Sequence, residues 1–199
     1  MAYIGPVLFL ITTYLIAAVP FGLVIAKIFS TKDIRQHGSK NIGATNVTRV
    51  LGKKLGFLTL ILDLAKGAVM VTLAKFIFSQ ANNLNVILAL VALIAVIGHI
   101  FPIYLKFKGG KGVATTIAVI LALNPKVGLV VVLTWLLTFF IFRISAISSL
   151  AAIFFANLFA IYDKVALEQL ILYFLLLILI TLRHKENIIR IKNGRENKV

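Results

Sequence analysis

A glycine-flanked lysine is the residue of this 199-residue chain whose surroundings best suit chemistry: Lys111 follows Gly109 and Gly110 and precedes Gly112. Glycines without a Cβ let backbone N–H groups converge on an anion, and Lys111 adds a point charge at the same place. A helix that begins at Val113 would direct its free N–H groups and the positive end of its dipole at this turn. The pattern predicts a phosphate site at a membrane surface, and a lysine-rich loop that only sets membrane topology is the alternative.

A second phosphate-suited stretch lies between the first two apolar segments. It contains four small residues with hydrogen-bonding side chains, Ser39, Asn41, Thr45 and Asn46. Arg49 adds a planar fork that suits bidentate phosphate contact. Thr45 or Asn46 could cap a helix that runs from Val47 into the next apolar segment. An ordinary polar loop with a helix cap would have the same composition. The stretch contains no P-loop or GxGxxG pattern, so no nucleotide-binding fold is predicted.

Two shorter polar stretches occur later in the chain. Arg143, Ser145 and Ser148 could present a cation and two hydroxyl groups, or could be a snorkelling arginine with serines bonded to helix backbone. His184 and Asn187 are three residues apart and share one face of a helix. A histidine near a helix end is also a common surface or capping residue, so a catalytic role and a structural role both remain open.

The composition excludes an ordinary soluble domain. Hydrophobic residues make up 61% of the chain and the formal net charge is +15, with a mean hydropathy of +1.05. These values indicate an all-α, polytopic membrane protein. The absence of cysteine excludes disulfides and a cysteine nucleophile, and neither a metal nor a cofactor is expected because no acidic or histidine cluster has ligand spacing. Basic residues interleaved with apolar segments indicate lipid headgroups and phosphate rather than nucleic acid as partners.

Apolar runs of about 20 residues predict a single domain, residues 1–199, of about seven helical spans. They are Tyr3 to Ile28, Leu55 to Phe78, Leu84 to Phe101, Val113 to Leu123, Val127 to Phe142, Ile144 to Tyr162 and Val165 to Leu182. The first is expected to be retained rather than cleaved as an export signal, because no basic segment precedes it. The fourth is short, which predicts a half-span whose N-terminal end lies inside the protein.

The distribution of charge predicts the orientation of these spans. Most lysines and arginines fall in alternate connections and in the C-terminal tail, which places the N-terminus outside and the C-terminus in the cytoplasm. All four polar stretches then face the cytoplasm. Asp63 and Lys66 are different, since they lie three apart within the second span and can pair in the bundle interior. Such a pair marks either a cavity or a structural lock.

Four stretches together carry a family resemblance: GSKNIGATNVTR, GHIFPIYLKFKGGKGVAT, RISAISS and HKENIIRIKNGRE. In order and spacing they resemble the bacterial acyl-phosphate:glycerol-3-phosphate acyltransferase family over nearly the whole chain. Two positions depart from the family pattern. Lys40 stands where the family often has glycine, and Ala146 stands where a further serine is frequent.

The resemblance implies an enzyme that transfers a long-chain acyl group from acyl phosphate to glycerol 3-phosphate, giving lysophosphatidic acid in the first acylation of phospholipid synthesis. It implies a site on the cytoplasmic side of the bacterial inner membrane, with a soluble enzyme that makes acyl phosphate as a candidate partner. Lys111 and His184 would be catalytic, although the substrate's own phosphate is favoured to take the hydroxyl proton, with His99 as a further candidate. The residues expected to bind substrate are Ser39, Asn41, Thr45, Asn46, Arg49, Gly109, Gly110, Arg143, Ser145, Ser148 and Asn187.

Two other functions fit the residues less well. A transporter of phosphorylated solutes would also place basic residues and a broken span around an anion, but it should show internal repeats and a polar route to the outside. The sequence has neither. An assembly subunit that only binds lipid is a third hypothesis, and it predicts that substitutions in the phosphate-suited stretches leave its function intact.

Overall fold

The structure is a computed structural model that describes residues 4–198, so the predicted start of the first span at Tyr3 lies outside the described residues. All regular structure within them is helical, which confirms the all-α prediction. The helices are α1 (Ile4–Ala17), α2 (Phe21–Phe29), α3 (Ala44–Leu51), α4 (Lys53–Ile77), α5 (Leu84–Ile100), α6 (Val113–Leu123), α7 (Pro125–Phe142), α8 (Ser145–Tyr162), α9 (Leu167–Arg183) and α10 (Lys185–Lys192), with a 3₁₀ turn at Ile103–Leu105.

The chain divides into two compact units, Met1–Val119 and Ile120–Val199. In the first, α1 packs on α5 and α4, while α4 also contacts α2, α3 and α5. A small core of Ala26, Ile34 and Val47 joins α2, the following loop and α3. In the second unit α8 packs against both α7 and α9, and α10 contacts α9.

The first apolar segment is interrupted between α1 and α2. Pro20 explains the break, because its ring excludes the helical hydrogen bond at that position and disfavours helical geometry at the preceding residue. At this break the carbonyl of Val19 accepts from the N–H of Phe21 at 3.1 Å, and Lys66 Nζ lies 3.1 Å from the same oxygen. The buried ammonium of Lys66 is thus a second donor to a carbonyl at the helix break, in an environment where polar groups need partners within the protein.

The prediction of one continuous helix from Val47 into the second span is wrong. Instead α3 ends at Leu51, and α4 begins at Lys53 after Gly52. Gly52 has a φ of +93°, a conformation that residues with a side chain rarely adopt. The predicted cap is wrong as well, since α3 starts one turn earlier, with Gly43 at its N-cap and no side chain capping it.

The short helix α6 begins at Val113, as predicted, and it starts against the middle of α4. Thr115 Oγ1 donates to the backbone carbonyl of Asp63 at 3.1 Å, and Asp63 is the eleventh residue of α4. Eleven residues make a helix of only about 17 Å, against a hydrocarbon core of about 30 Å. The N-terminal end of α6 is therefore sheltered by protein, in agreement with the predicted half-span.

In the second unit the last apolar segment bends. The predicted span ended at Leu182, whereas α9 continues to Arg183 and a further helix, α10, follows at an angle of 59°. Within residues 4–198, five helices are suited by length and composition to crossing a membrane, counting α1 with α2 and α5 with the 3₁₀ turn. The number is six if α9 and α10 form one bent span. Seven spans and the N-terminus-out orientation stay predictions.

The predicted pairing of Asp63 and Lys66 is confirmed. Lys66 Nζ lies 2.9 Å from Asp63 Oδ1, and both side chains are buried. His99 Nδ1 from α5 lies 3.5 Å from the same carboxylate oxygen. The Lys66 ammonium also lies 5.6 Å from the centre of the Phe21 ring. A charge in the bundle interior is stable only with such partners, so this cluster joins α2, α4 and α5.

Replacing Lys66 by methionine is expected to destabilise the folded protein by about 3 to 5 kcal/mol, because the Asp63 carboxylate is left buried without its cation. The matched control is Lys126→Met, which breaks a 3.3 Å pair with Asp163 but changes a lysine side chain that is 74% exposed. Thermal unfolding in detergent should show a large loss for the first variant and little for the second. Equal losses would contradict the role of the buried pair.

Candidate functional site

The glycine-rich turn before α6 is folded onto the end of α5. The Gly109 N–H donates to the carbonyl of Ile100 at 3.0 Å, and the Gly110 N–H donates to the carbonyl of His99 at 3.2 Å. A Cβ on Gly109 would overlap the His99 carbonyl, and a Cβ on Gly110 would overlap the His99 imidazole. The two glycines therefore allow a close approach of backbone to α5, and their N–H groups bind protein carbonyls instead of pointing together at an anion as predicted.

The residues that follow the two glycines, Lys111 and Gly112, lie at the positively charged N-terminus of α6. Gly112, with a φ of +85°, accepts a hydrogen bond from the N–H of Thr116 at 2.8 Å and so stands at the N-cap of α6. The first N–H groups of a helix have no acceptor within the helix, and the dipole makes that end positive. Lys111 is half-buried one residue before this end. A lysine and a helix N-terminus together form an anion-binding arrangement.

Asn46 organises the connection between α2 and α3. Its side chain is buried, and its Oδ1 accepts from the N–H of Ser39 at 2.7 Å. Its Nδ2 donates to the carbonyls of Ile34 and Asn41, both at 2.8 Å, and to that of His37 at 3.2 Å. The predicted site residues Ser39 and Asn41 are thus brought together by one amide. In this arrangement Asn46 holds backbone rather than presenting its side chain to a ligand.

Thr45 and Arg49 lie on α3, beside this connection. They are four residues apart, so they share one face of the helix, and both are half-buried. Another arginine of the connection, Arg35, is bound to Asp33 through its Nη2 at 2.8 Å. The hydrogen bonds from the Arg35 side chain and backbone lower the pKa of Asp33 to about 2, so this carboxylate is charged at neutral pH. The charge of Arg35 is therefore compensated locally.

The turn between α7 and α8 carries the third predicted group. Arg143 is exposed, has a φ of +57° and places its guanidinium carbon 5.6 Å from the centre of the Phe140 ring. The hydroxyl of buried Ser148 donates to the carbonyl four residues earlier at 3.2 Å. Ser149, which the sequence interpretation did not single out, donates to the carbonyl of Ser145 at 2.7 Å. The structure thus has the serine-to-backbone bonds of the alternative interpretation.

His184 and Asn187 are buried at the bend between α9 and α10. His184 Nδ1 lies 2.8 Å from the carbonyl oxygen of Ile180. A carbonyl only accepts hydrogen bonds, so Nδ1 carries a proton, and in the neutral ring Nε2 is the basic nitrogen. Asn187 Nδ2 donates to Glu196 Oε1 at 2.8 Å. The bend fixes one imidazole and one amide in a defined orientation.

Glu196 is a residue of this second group that the sequence interpretation missed. Its other oxygen, Oε2, lies 2.7 Å from Arg190 Nε, and its side chain is largely buried. One of only six acidic residues in the chain thus joins the tail to α10. The signal was a carboxylate between the basic residues Arg195 and Lys198, nine residues after Asn187. Within residues 4–198 no group of three acidic or histidine side chains could hold a metal ion.

The predicted site residues fall into separate groups in the two units. In the first, Asn46 joins Ser39 and Asn41 next to Thr45 and Arg49, and Lys111 stands at the start of α6. In the second, Ser145 and Ser148 lie in α8, while His184 and Asn187 lie at the α9–α10 bend. The fold and these groups define a polytopic helical membrane protein with buried polar side chains at its helix breaks.

Comparison with known proteins identifies the family. The sequence model of the family described as glycerol-3-phosphate acyltransferase matches residues 7–194, and the chain belongs to this family. A protein of that name from Wolbachia pipientis is 46% identical, with 95% of this chain and 96% of that protein covered. One from Pelagibacter ubique is 40% identical, with 94% of each covered.

Solved structures agree with the sequence relatives. The chain is similar to the crystal structure of PlsY, an integral membrane glycerol 3-phosphate acyltransferase, in its glycerol 3-phosphate form. The TM-score is 0.92 at 38% identity, with 98% of this chain and 96% of that chain covered. The lysophosphatidic acid form of PlsY gives a TM-score of 0.89 at the same identity.

Exchanging the Asn46 amide for a carboxylate tests its structural role. Asn46→Asp places a charged acceptor against three carbonyls and should destabilise the protein by at least about 2 kcal/mol. The matched control is Asn193→Asp, the same chemical change at an exposed residue. Trypsin cleavage after Lys40 should accelerate in the first variant only. An unchanged cleavage rate would show that the amide does not hold the connection.

Graded changes at Glu196 test the contact between tail and α10. Glu196→Gln keeps an oxygen for Asn187 but loses the charge that faces Arg190, whereas Glu196→Ala loses both. Stability should fall in that order, with a loss of about 1 to 3 kcal/mol for alanine. Glu186→Ala is the control, because Glu186 lies 3.7 Å from Arg190 but its side chain is 89% exposed. A thermal midpoint for Glu196→Gln below that for Glu196→Ala would contradict the proposed contact between the tail and α10.

Proposed function

We propose that this protein transfers a long-chain acyl group from acyl phosphate to glycerol 3-phosphate, giving 1-acyl-glycerol 3-phosphate and phosphate. The observation that carries the proposal is the similarity to PlsY over 98% of this chain, in forms described by glycerol 3-phosphate and by lysophosphatidic acid. The four polar stretches that suit phosphate supply the chemical support. The two compact units are proposed to serve this reaction as one domain.

The reaction needs no covalent enzyme intermediate. The acceptor hydroxyl oxygen attacks the carbonyl carbon of the acyl phosphate, and the new ester C–O bond forms. The bond from that carbon to the phosphate oxygen breaks, and phosphate leaves with the electron pair. The hydroxyl proton passes to a phosphate oxygen of a substrate, with His184 Nε2 as the alternative acceptor. Phosphate is a good leaving group, so the enzyme's main task is to hold two anions in reacting geometry.

The proposed roles follow from charge and position. Lys111 and the first turn of α6 stabilise the negative charge that grows on the carbonyl oxygen or departing phosphate. Arg49 and Arg143 bind phosphate groups, Arg49 in the bidentate manner that guanidinium favours. Holding the reactants in line can contribute about 7 to 11 kcal/mol to lowering the barrier. Further polar contacts are proposed from Ser39, Asn41, Thr45, Ser145, Ser148 and Asn187, whereas Asn46, Gly109 and Gly110 are proposed to shape the backbone around the substrates.

The membrane supplies the second substrate. Each buried methylene of the acyl chain contributes roughly 0.8 kcal/mol, so the donor resides in the bilayer or in a groove between helices. Glycerol 3-phosphate is soluble, and the proposed site therefore lies at the interface. The distribution of basic residues supports a site on the cytoplasmic face of the bacterial inner membrane. A soluble enzyme that makes acyl phosphate is the partner this arrangement favours.

Purified protein should convert palmitoyl phosphate and labelled glycerol 3-phosphate into lysophosphatidic acid. Lys111→Ala should lower kcat/KM roughly 100-fold, because a positive group aimed at developing charge is lost. The control is Lys126→Ala, which changes an exposed lysine at the start of α7. Full turnover by Lys111→Ala would remove the site assignment.

Two outcomes would overturn the function itself. Product from palmitoyl-CoA but none from palmitoyl phosphate would reject the donor. Uptake of labelled glycerol 3-phosphate into proteoliposomes without any acyl donor, with no lysophosphatidic acid formed, would favour the transporter.

A further inference from the structure

His99 is a buried histidine that stands between a charged cluster and the proposed catalytic turn. On one side its Nδ1 lies 3.5 Å from Asp63 Oδ1. On the other side its imidazole lies so close to Gly110 that a Cβ there would overlap Nε2. The same histidine is therefore in contact with both α4 and the turn that contains Lys111.

The backbone of His99 and its neighbour also hold this turn. The His99 carbonyl accepts from the N–H of Gly110 at 3.2 Å, and the Ile100 carbonyl accepts from the N–H of Gly109 at 3.0 Å. These carbonyls belong to the last turn of α5, where helical donors run out. The turn is thus attached to α5 by two backbone bonds, and the imidazole determines how closely Gly110 can approach.

The position of the imidazole is in turn set from α4. Asp63 is held by Lys66 at 2.9 Å, and Lys66 is held by the carbonyl of Val19 at 3.1 Å. The backbone of Asp63 accepts from Thr115 Oγ1 in the first turn of α6 at 3.1 Å. Asp63 therefore contacts both His99 and the helix whose N-terminus faces the turn. A shift of α4 at Asp63 would therefore move both.

We propose that His99 is a positioning residue for the acyl transfer: its imidazole, oriented by the Asp63–Lys66 pair, holds the Gly109–Gly112 turn in the conformation that presents Lys111. The inference rests on the proposed function, and it concerns a residue that acts through Lys111 rather than on the substrate. A role in packing alone would need only a ring of the same size, because an apolar aromatic residue avoids the cost of burying polar nitrogens. The two roles therefore predict opposite results for two substitutions.

His99→Phe keeps the ring against Gly110 and removes the nitrogen that faces Asp63. The positioning role predicts a kcat about 10- to 100-fold lower, with a smaller change in KM, because misplacement by one ångström already weakens catalysis strongly. His99→Asn keeps a donor near the place of Nδ1, whereas His99→Gln places its amide nearer to Nε2. Among these two polar variants, Asn should retain more activity than Gln. A packing role predicts near-parental turnover for Phe.

A second measurement reports on the turn without using activity. The chain contains no cysteine, so a single Thr116→Cys substitution gives a unique thiol. Thr116 is 3% exposed and its hydroxyl has no hydrogen-bond partner among residues 4–198, so cysteine should fit there with little disturbance. Its reaction with a maleimide should be slow in the otherwise unchanged protein and several-fold faster when His99→Phe is added. Phe76→Leu, at an exposed position of α4, is the control and should leave the rate unchanged.

The outcomes separate this inference from the function on which it rests. If the unsubstituted protein makes no lysophosphatidic acid, the proposed function fails, while the labelling experiment still tests whether His99 orders the turn. If the unsubstituted protein is active and folded His99→Phe has parental kcat and labelling rate, the inference is overturned. If His99→Phe does not purify as a monodisperse protein, the relative activities of His99→Asn and His99→Gln decide. Activity of His99→Gln equal to or above that of His99→Asn would reject the role of Nδ1.

Discussion

A buried ion pair in an apolar bundle is the constraint on which the rest of the first unit depends. The charges of Asp63 and Lys66 are stable in this environment only if each charge has polar partners inside the bundle. Lys66 therefore binds the carbonyl exposed by the break at Val19, and Asp63 is approached by His99 and, at its backbone, by Thr115. The break between α1 and α2, the short helix α6 and His99 therefore all contact one polar cluster. His99 also contacts the proposed catalytic turn at Gly110.

The same rule explains how the other motifs are built. Where a helix ends or a loop folds back, backbone groups lose their partners, and buried side chains replace them. Asn46 serves the connection before α3 in this way, and Glu196 joins the tail to α10 through Asn187 and Arg190. Conversely, the turn at Gly109 and Gly110 uses its own N–H groups on the end of α5. Many polar residues in these motifs thus shape backbone, while Lys111 is the residue proposed to bind an anion.

This division changes the view of the phosphate-suited stretches. Asn46 and the two glycines match a substrate site by composition, but their hydrogen bonds are made within the protein, so they fix the backbone of these stretches. The proposed cations of the site are Arg49, half-buried on α3, and Lys111, at the positive end of α6. His184, with Nδ1 bound to a carbonyl, has its tautomer decided by the bend between α9 and α10. Under the proposed assignment, these charges are held in place by the fold, and preorganised charges of this kind lower a reaction barrier.

The sequence by itself determined the helical membrane class, the start of α6 at Val113, the pairing of Asp63 with Lys66 and the family, because apolar length, residue spacing and motif order are properties of short stretches. It did not determine that Gly52 separates α3 from α4, since glycine tolerates many conformations and only the packing of the two helices selects one. Nor could it assign the partners of Asn46, His99 or Glu196, which lie on segments distant in the chain or beyond a bend. Those contacts were decided by the tertiary structure, because a buried polar group takes whichever partner the folded chain brings within hydrogen-bond distance.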